Sequence, residues 1–128
     1  MTSDGLDLSD VPEDLRPAVQ ASVRAAGVTG GHLSVELVVE ARIRELNRLH
    51  RGVDKPTDVL SFPIDERGAV AGPRELGDVV ICPEHADDVV EAAVHGVLHL
   101  CGFDHEADGG EMLAVQDEVM RELGAGAP

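Results

Sequence analysis

The stretch HGVLHLCGFDH, residues 95–105, carries three histidines at intervals of four and six. Residues four apart on an α-helix lie one above the other on the same face, so His95 and His99 can both address one ion. Gly102 stands where such a helix should stop, able to take the left-handed conformation that turns the chain back. His105 can then return as a third ligand. Three neutral imidazoles leave a tetrahedral ion one open position, the arrangement of a catalytic zinc site and not of a closed structural one. Water bound at that position is acidified toward neutrality and becomes a usable nucleophile. The expectation is one divalent ion, zinc first, although three imidazoles also suit nickel, cobalt or copper.

The spacing H-x-x-x-H-x-x-G-x-x-H coincides with the metzincin protease pattern H-E-x-x-H-x-x-G-x-x-H in every position but one. That position is Gly96, where a protease carries its general-base glutamate. Without the carboxylate, the group that would take the water's proton is missing. A metalloprotease or other zinc hydrolase is therefore one alternative, suggested by the spacing and opposed by Gly96. The plainer alternative is three core or surface histidines on an ordinary helix. His32, His50 and His85 belong to no such pattern and are expected to be solvated.

The elements that must position these residues follow from periodicity and punctuation. Residues 1–10 are polar and acidic, with no convincing strand. Val11 to about Ala26 reads as a helix with Asp10 as candidate N-cap and Gly27 beyond its end, and Pro17 inside it argues for a kink or a late start. Residues 32–39, HLSVELVV, suit a strand with one buried face. EARIRELNRLH then places Ile43, Leu46 and Leu49 at helical spacing, with Gly52 as terminator. TDVLSFPI and LGDVVICP read as two further strands, separated by a loop around Gly68 to Arg74. Residues 86–100 form the helix that carries the histidines, and 110–123 a last amphipathic helix. The order α-β-α-β-β-α-α predicts an α+β fold, a small mixed central sheet covered by helices, with the metal site on one helix and the loop after it. At 128 residues, 1–128 is expected to form one domain.

Composition narrows the partners. Phe62 and Phe103 are the only aromatic residues besides histidine, so the core is aliphatic, and any model in which bases stack along an aromatic platform is weakened. Cys82 and Cys101 are too few for a disulfide framework and are expected to be buried thiols. No basic leader precedes an apolar segment and no apolar run is long enough to span a bilayer, which implies a soluble, cytoplasmic protein. The net charge of −15 runs against nucleic-acid binding, but it is unevenly spread. Arg42, Arg44, Arg48, Arg51 and Lys55 face only Glu45 and Asp54 within residues 41–55, a local +3 on a remainder of −18. Such a strip on the exposed face of a short helix could hold one anionic segment, though not coat a long duplex.

The histidine stretch resembles the signature of the YbeY family, metal-dependent endoribonucleases of bacterial rRNA maturation. LNRLHRGVDKPTDVLSFPID, residues 46–65, is similar to that family's stretch ending in P-T-D-V-L-S-F-P, and LGDVVICP, residues 76–83, to the strand that follows. The blocks span about Leu33 to Glu106 in the family's order. The resemblance implies an α+β fold with a zinc-type ion at the base of a cleft. It implies a single-stranded RNA substrate, work near the 3′ end of 16S rRNA and in ribosome quality control, and the ribosomal small subunit and assembly factors as partners. It implies His95, His99 and His105 as ligands and Arg51 as the functional arginine beside the cleft, where a planar fork of donors suits a phosphate. Two departures stand out: the segment between LGDVVICP and VHGVLHL is shorter than in the family, and the usual first strand is poorly represented. Asp104 and Asp58 could orient a ligand histidine, and Asp58 could equally cap a turn. A non-catalytic ribosome assembly factor with a structural metal is the remaining alternative.

Overall fold

Pro17 decides where the first helix begins. The computed structural model, which describes residues 6–64, 75–103 and 109–125, has a single 3-10 turn at Glu13–Leu15 before α1 (Arg16–Ala25). The proline sits in the first turn of α1, where its missing N–H breaks no helical bond. Of the kink and the late start that Pro17 allows, the late start is the one that forms. Asp10 is not the cap: Leu15 occupies that position, and the Asp10 carboxylate is engaged by His32 instead.

The remaining elements are β1 (Leu6–Asp7), β2 (Gly31–Leu37), α2 (Glu40–Arg51), β3 (Val59–Pro63), β4 (Glu75–Ile81), α3 (Val89–Leu100) and α4 (Glu111–Ala125). β1 corrects the reading of residues 1–10 as strandless. It has only two residues, too few to show alternation, and exists because it pairs in parallel with Gly31 and His32 at the edge of β2. The four strands are ordered β1-β2-β4-β3, with β2 parallel to β4 and β3 antiparallel to it, so the sheet is mixed and the fold is α+β. The loop expected around Gly68 to Arg74 lies outside the described residues.

Alternation along β3 and β4 gives the sheet two covered faces. Leu60, Val80 and Cys82 pack on Ile43 of α2, with Leu46 and Phe62 at the margin. Val59, Ser61 and Val79 point the other way, toward Gly96 of α3. Glu75 pairs with His32 but Gly77 with Leu33, so Leu76 is the extra residue of a bulge. The bulge turns Leu76 into the cluster of Val79 and Ile81, out of the parity a regular strand would give it. Gly77 has φ +134°, and a Cβ there would stand 2.2 Å from the carbonyl oxygen of Phe62. Glycine is what allows β3 and β4 to close at this point.

α3 is the central helix. Ala93, Val94, Val97 and Leu98 are fully buried among α1, α4 and the sheet, each valine and leucine contributing about 1.5–3 kcal/mol by burial. A helix apolar nearly all round belongs inside a protein. The two positions of its later turns that are only half-buried are His95 and His99. Cys82 and Cys101 are buried, as expected, and not joined in a disulfide. Among the described residues no helix is long and apolar enough to cross a membrane.

Candidate metal centre

α3 begins where Asp88 accepts the Glu91 N–H at 3.1 Å through its side chain, so residues 82–88 suffice to lead from β4 into the histidine helix. It ends at Cys101, and Gly102 takes φ +104° as the residue that reverses the chain. The reversal returns Phe103 over the last turn, its N–H donating to Leu98 O at 3.1 Å. The carbonyl oxygen of the same Phe103 accepts from Nδ1 of His99 at 3.0 Å.

His95 and His99 are brought together as their spacing requires, ring centroids 4.8 Å apart and planes at 77°. Nδ1 of His95 lies 2.8 Å from Oε1 of Gln116 on α4. A backbone carbonyl only accepts, so His99 carries a proton on Nδ1 and, as a neutral ring, its lone pair on Nε2. At His95 the same tautomer follows from the orientation assigned to the Gln116 amide. Holding one ring nitrogen with an acceptor so that the other presents a lone pair is the usual preparation of a histidine for a metal. The pair therefore fits a divalent ion of the imidazole-preferring kind. Among the described residues no three His, Cys, Asp or Glu side chains converge on one point. His105, the expected third ligand, and Asp104 lie outside the described residues.

Gly96, beside His95, faces the sheet. A Cβ on it would meet Val79 Cγ1 at 2.6 Å, Ser61 Oγ at 3.2 Å and Val59 Cγ2 at 3.2 Å. Its carbonyl accepts the Ser61 hydroxyl at 3.1 Å. In a metzincin this position carries the base; here strands β3 and β4 occupy the space that a glutamate would need.

Arg51 ends α2 and is exposed, with Gly52 beyond it in the left-handed conformation. α2 covers the face of β3 and β4 opposite to α3, so Arg51 and the histidine pair are carried by helices on the two sides of the sheet. The neighbouring His50 rests on Phe62 of β3, centroids 4.8 Å apart. The basic strip is exposed as expected, but two members are partly neutralised: Arg42 pairs with Glu45 at 2.6 Å and Arg44 with Asp54 at 2.8 Å. The Arg44 hydrogen bond holds the Asp54 carboxyl below its ordinary range. Asp58 accepts from the Val59 N–H at 2.8 Å and from the Thr57 hydroxyl, the turn-capping role of its two alternatives.

Two expectations for the other histidines change. His32 is gripped by Asp10 at 2.7 Å and Glu75 at 2.7 Å, which raises its pKa, the Asp10 hydrogen bond most. His85 pairs with Glu40 at 2.6 Å. Gln116 was not legible as part of the site, because no spacing rule links it to His95. Its one signal is a polar residue at i+4 from Met112 on the apolar stripe of α4.

The sequence matches the family model described as Endoribonuclease YbeY over residues 4–124. It is 36% identical to Endoribonuclease YbeY of Persephonella marina over 132 aligned residues, covering 91% of this chain and 86% of that one. It is 39% identical to the Moorella thermoacetica protein of the same name, with 86% and 85% coverage. The solution structure of TM1509 from Thermotoga maritima superposes with a TM-score of 0.56 at 32% identity, covering 86% of this chain and 79% of that chain. A family match over nearly the whole sequence, a neighbour of the same fold and a prepared histidine pair agree: the chain belongs to the endoribonuclease YbeY family.

Proposed function

We propose that this chain is a metal-dependent endoribonuclease that cuts single-stranded RNA in the cytoplasm, at the 3′ end of 16S rRNA and in ribosome quality control. The ribosomal small subunit and its assembly factors are the partners in this reading. The observation that carries it is the side-by-side His95 and His99, each with Nδ1 held by an oxygen, in a member of an endoribonuclease family.

His95, His99 and His105 would hold the ion, which is zinc in this proposal. When bound, it would supply a Lewis acid for a phosphate oxygen and lower the pKa of a water molecule. The residues do the rest. Gln116 and Phe103 keep the imidazoles oriented, and the buried faces of α3 keep the pair rigid. Arg51, exposed at the end of α2, steadies charge on the phosphoryl group with its forked donors. Gly96 cannot act as base, so the proton acceptor comes from another position. Incubating the zinc-loaded chain with a single-stranded RNA, its duplex and the matching single-stranded DNA tests the substrate class. Cleavage of the single-stranded RNA alone is expected; equal cutting of all three would refute the specificity.

A further inference from the structure

α4 has one polar side chain where its inward face should be apolar. Met112, Gln116 and Val119 lie at helical spacing, and Met112 and Val119 are buried against Ala18, Ala21, Val94 and Leu98. Gln116 is buried in the same seam, 9% exposed. An amide there costs stability unless its polar atoms find partners, and leucine or methionine would fill the seam without that cost. What the amide does that they cannot is accept a hydrogen bond, and its Oε1 lies 2.8 Å from Nδ1 of His95.

We infer that Gln116 is a positioning residue of the metal centre, fixing the ring and the proton of His95 so that Nε2 presents its lone pair. The inference rests on the reading of His95 as a metal ligand. Phe103 does the same for His99 with a backbone oxygen, which no side-chain substitution can remove. At His95 the task falls to a side chain from another helix. Metal affinity therefore depends on how α4 docks, although α4 supplies none of the proposed ligands. The neutral amide also orients the ring without adding a negative charge beside it, whereas a carboxylate would make the imidazole a stronger donor. Turning the amide over would face its NH2 to Nδ1, shift the ring proton to Nε2 and abolish the ligand lone pair.

The test uses zinc alone, titrated at one fixed pH into the full chain against a chromophoric chelator, for wild type, Gln116→Leu and Gln116→Glu. Melting of the metal-free forms is recorded alongside. Gln116→Leu is expected to bind zinc about 10- to 100-fold more weakly while melting no lower than wild type without metal. Gln116→Glu is expected to bind at least as tightly as wild type, which a purely structural role does not predict. Nitrogen-15 NMR of metal-free wild type, independent of any variant's folding, should find the His95 proton on Nδ1. Wild-type affinity in Gln116→Leu, Leu-like weakness in Gln116→Glu, or a proton on Nε2 would each overturn the inference. If wild type itself binds no zinc, the metal reading beneath it fails, and the two failures are told apart.

Discussion

A Cβ placed on Gly96 would lie 2.6 Å from Cγ1 of Val79, so the position between His95 and His99 is pinned against the sheet. Val79 is β-branched and fully buried, with little freedom to yield. Gly96→Ala must therefore push α3 off β3 and β4, and the cost of such overpacking is about 1–3 kcal/mol. Urea unfolding of the variant should show the loss. A midpoint equal to wild type would mean that the helix and sheet are not in this contact.

His32 bridges Asp10 and Glu75, and its raised pKa makes the bridge pH-dependent. Because the folded-state pKa lies above the unfolded value of about 6.5, the contribution is complete below that value. It is lost as pH rises through the folded pKa. Asp7 also feels the His32 charge, which helps lower its own pKa, though less than its Ser9 hydrogen bonds do. The stability gap between wild type and His32→Gln, followed by thermal melting, should be largest at mildly acidic pH, below about 6.5 while Asp10 and Glu75 stay ionised, and shrink as pH rises. A gap that grows with pH would contradict the assignment.

Arg51 is exposed on the last turn of α2, where a cation favours the helix dipole by about 0.3–1 kcal/mol. Arg51→Ala should cost no more than that in stability, yet lower kcat/KM for single-stranded RNA about 100-fold. Arg51→Lys keeps the charge but not the fork and should recover activity only in part. Full activity in a folded Arg51→Ala variant would remove the residue from the phosphate.

Zinc that binds the folded chain alone must stabilise it. At free zinc 100-fold above the dissociation constant the gain is about 2.7 kcal/mol, readable as a rise in melting temperature that EDTA reverses. His99→Ala should show little of it. An equal rise in that variant would place the zinc elsewhere.

How much of this was legible beforehand depended on whether local pattern or distant pairing decided the outcome. α3 and its histidines were readable because the four-residue spacing and Gly102 act within one helix and its end, although the helix starts at Val89, behind the Asp88 cap, and not at residue 86. Finding β2, β3 and β4 needed only the Val-, Leu- and Ile-rich alternation of their segments, whereas their order in the sheet is set by pairings between distant strands. β1 was missed because two residues carry no period and form a strand only against β2. Asp10 was misread as a cap because its partner, His32, is 22 residues away. Gln116 and the contact of Gly96 with Val79 were hidden for the same reason, since each joins elements whose docking no local pattern specifies.

The central claim is that the histidine pair of α3 belongs to a metal centre that cuts RNA. Its most direct measurement compares cleavage of one single-stranded RNA by zinc-loaded wild type, metal-stripped wild type and zinc-loaded His99→Ala. Cutting by the first alone is expected, restored to the stripped protein when zinc is returned. Equal cutting by all three would contradict it, as would no cutting by a folded wild type shown to hold its zinc.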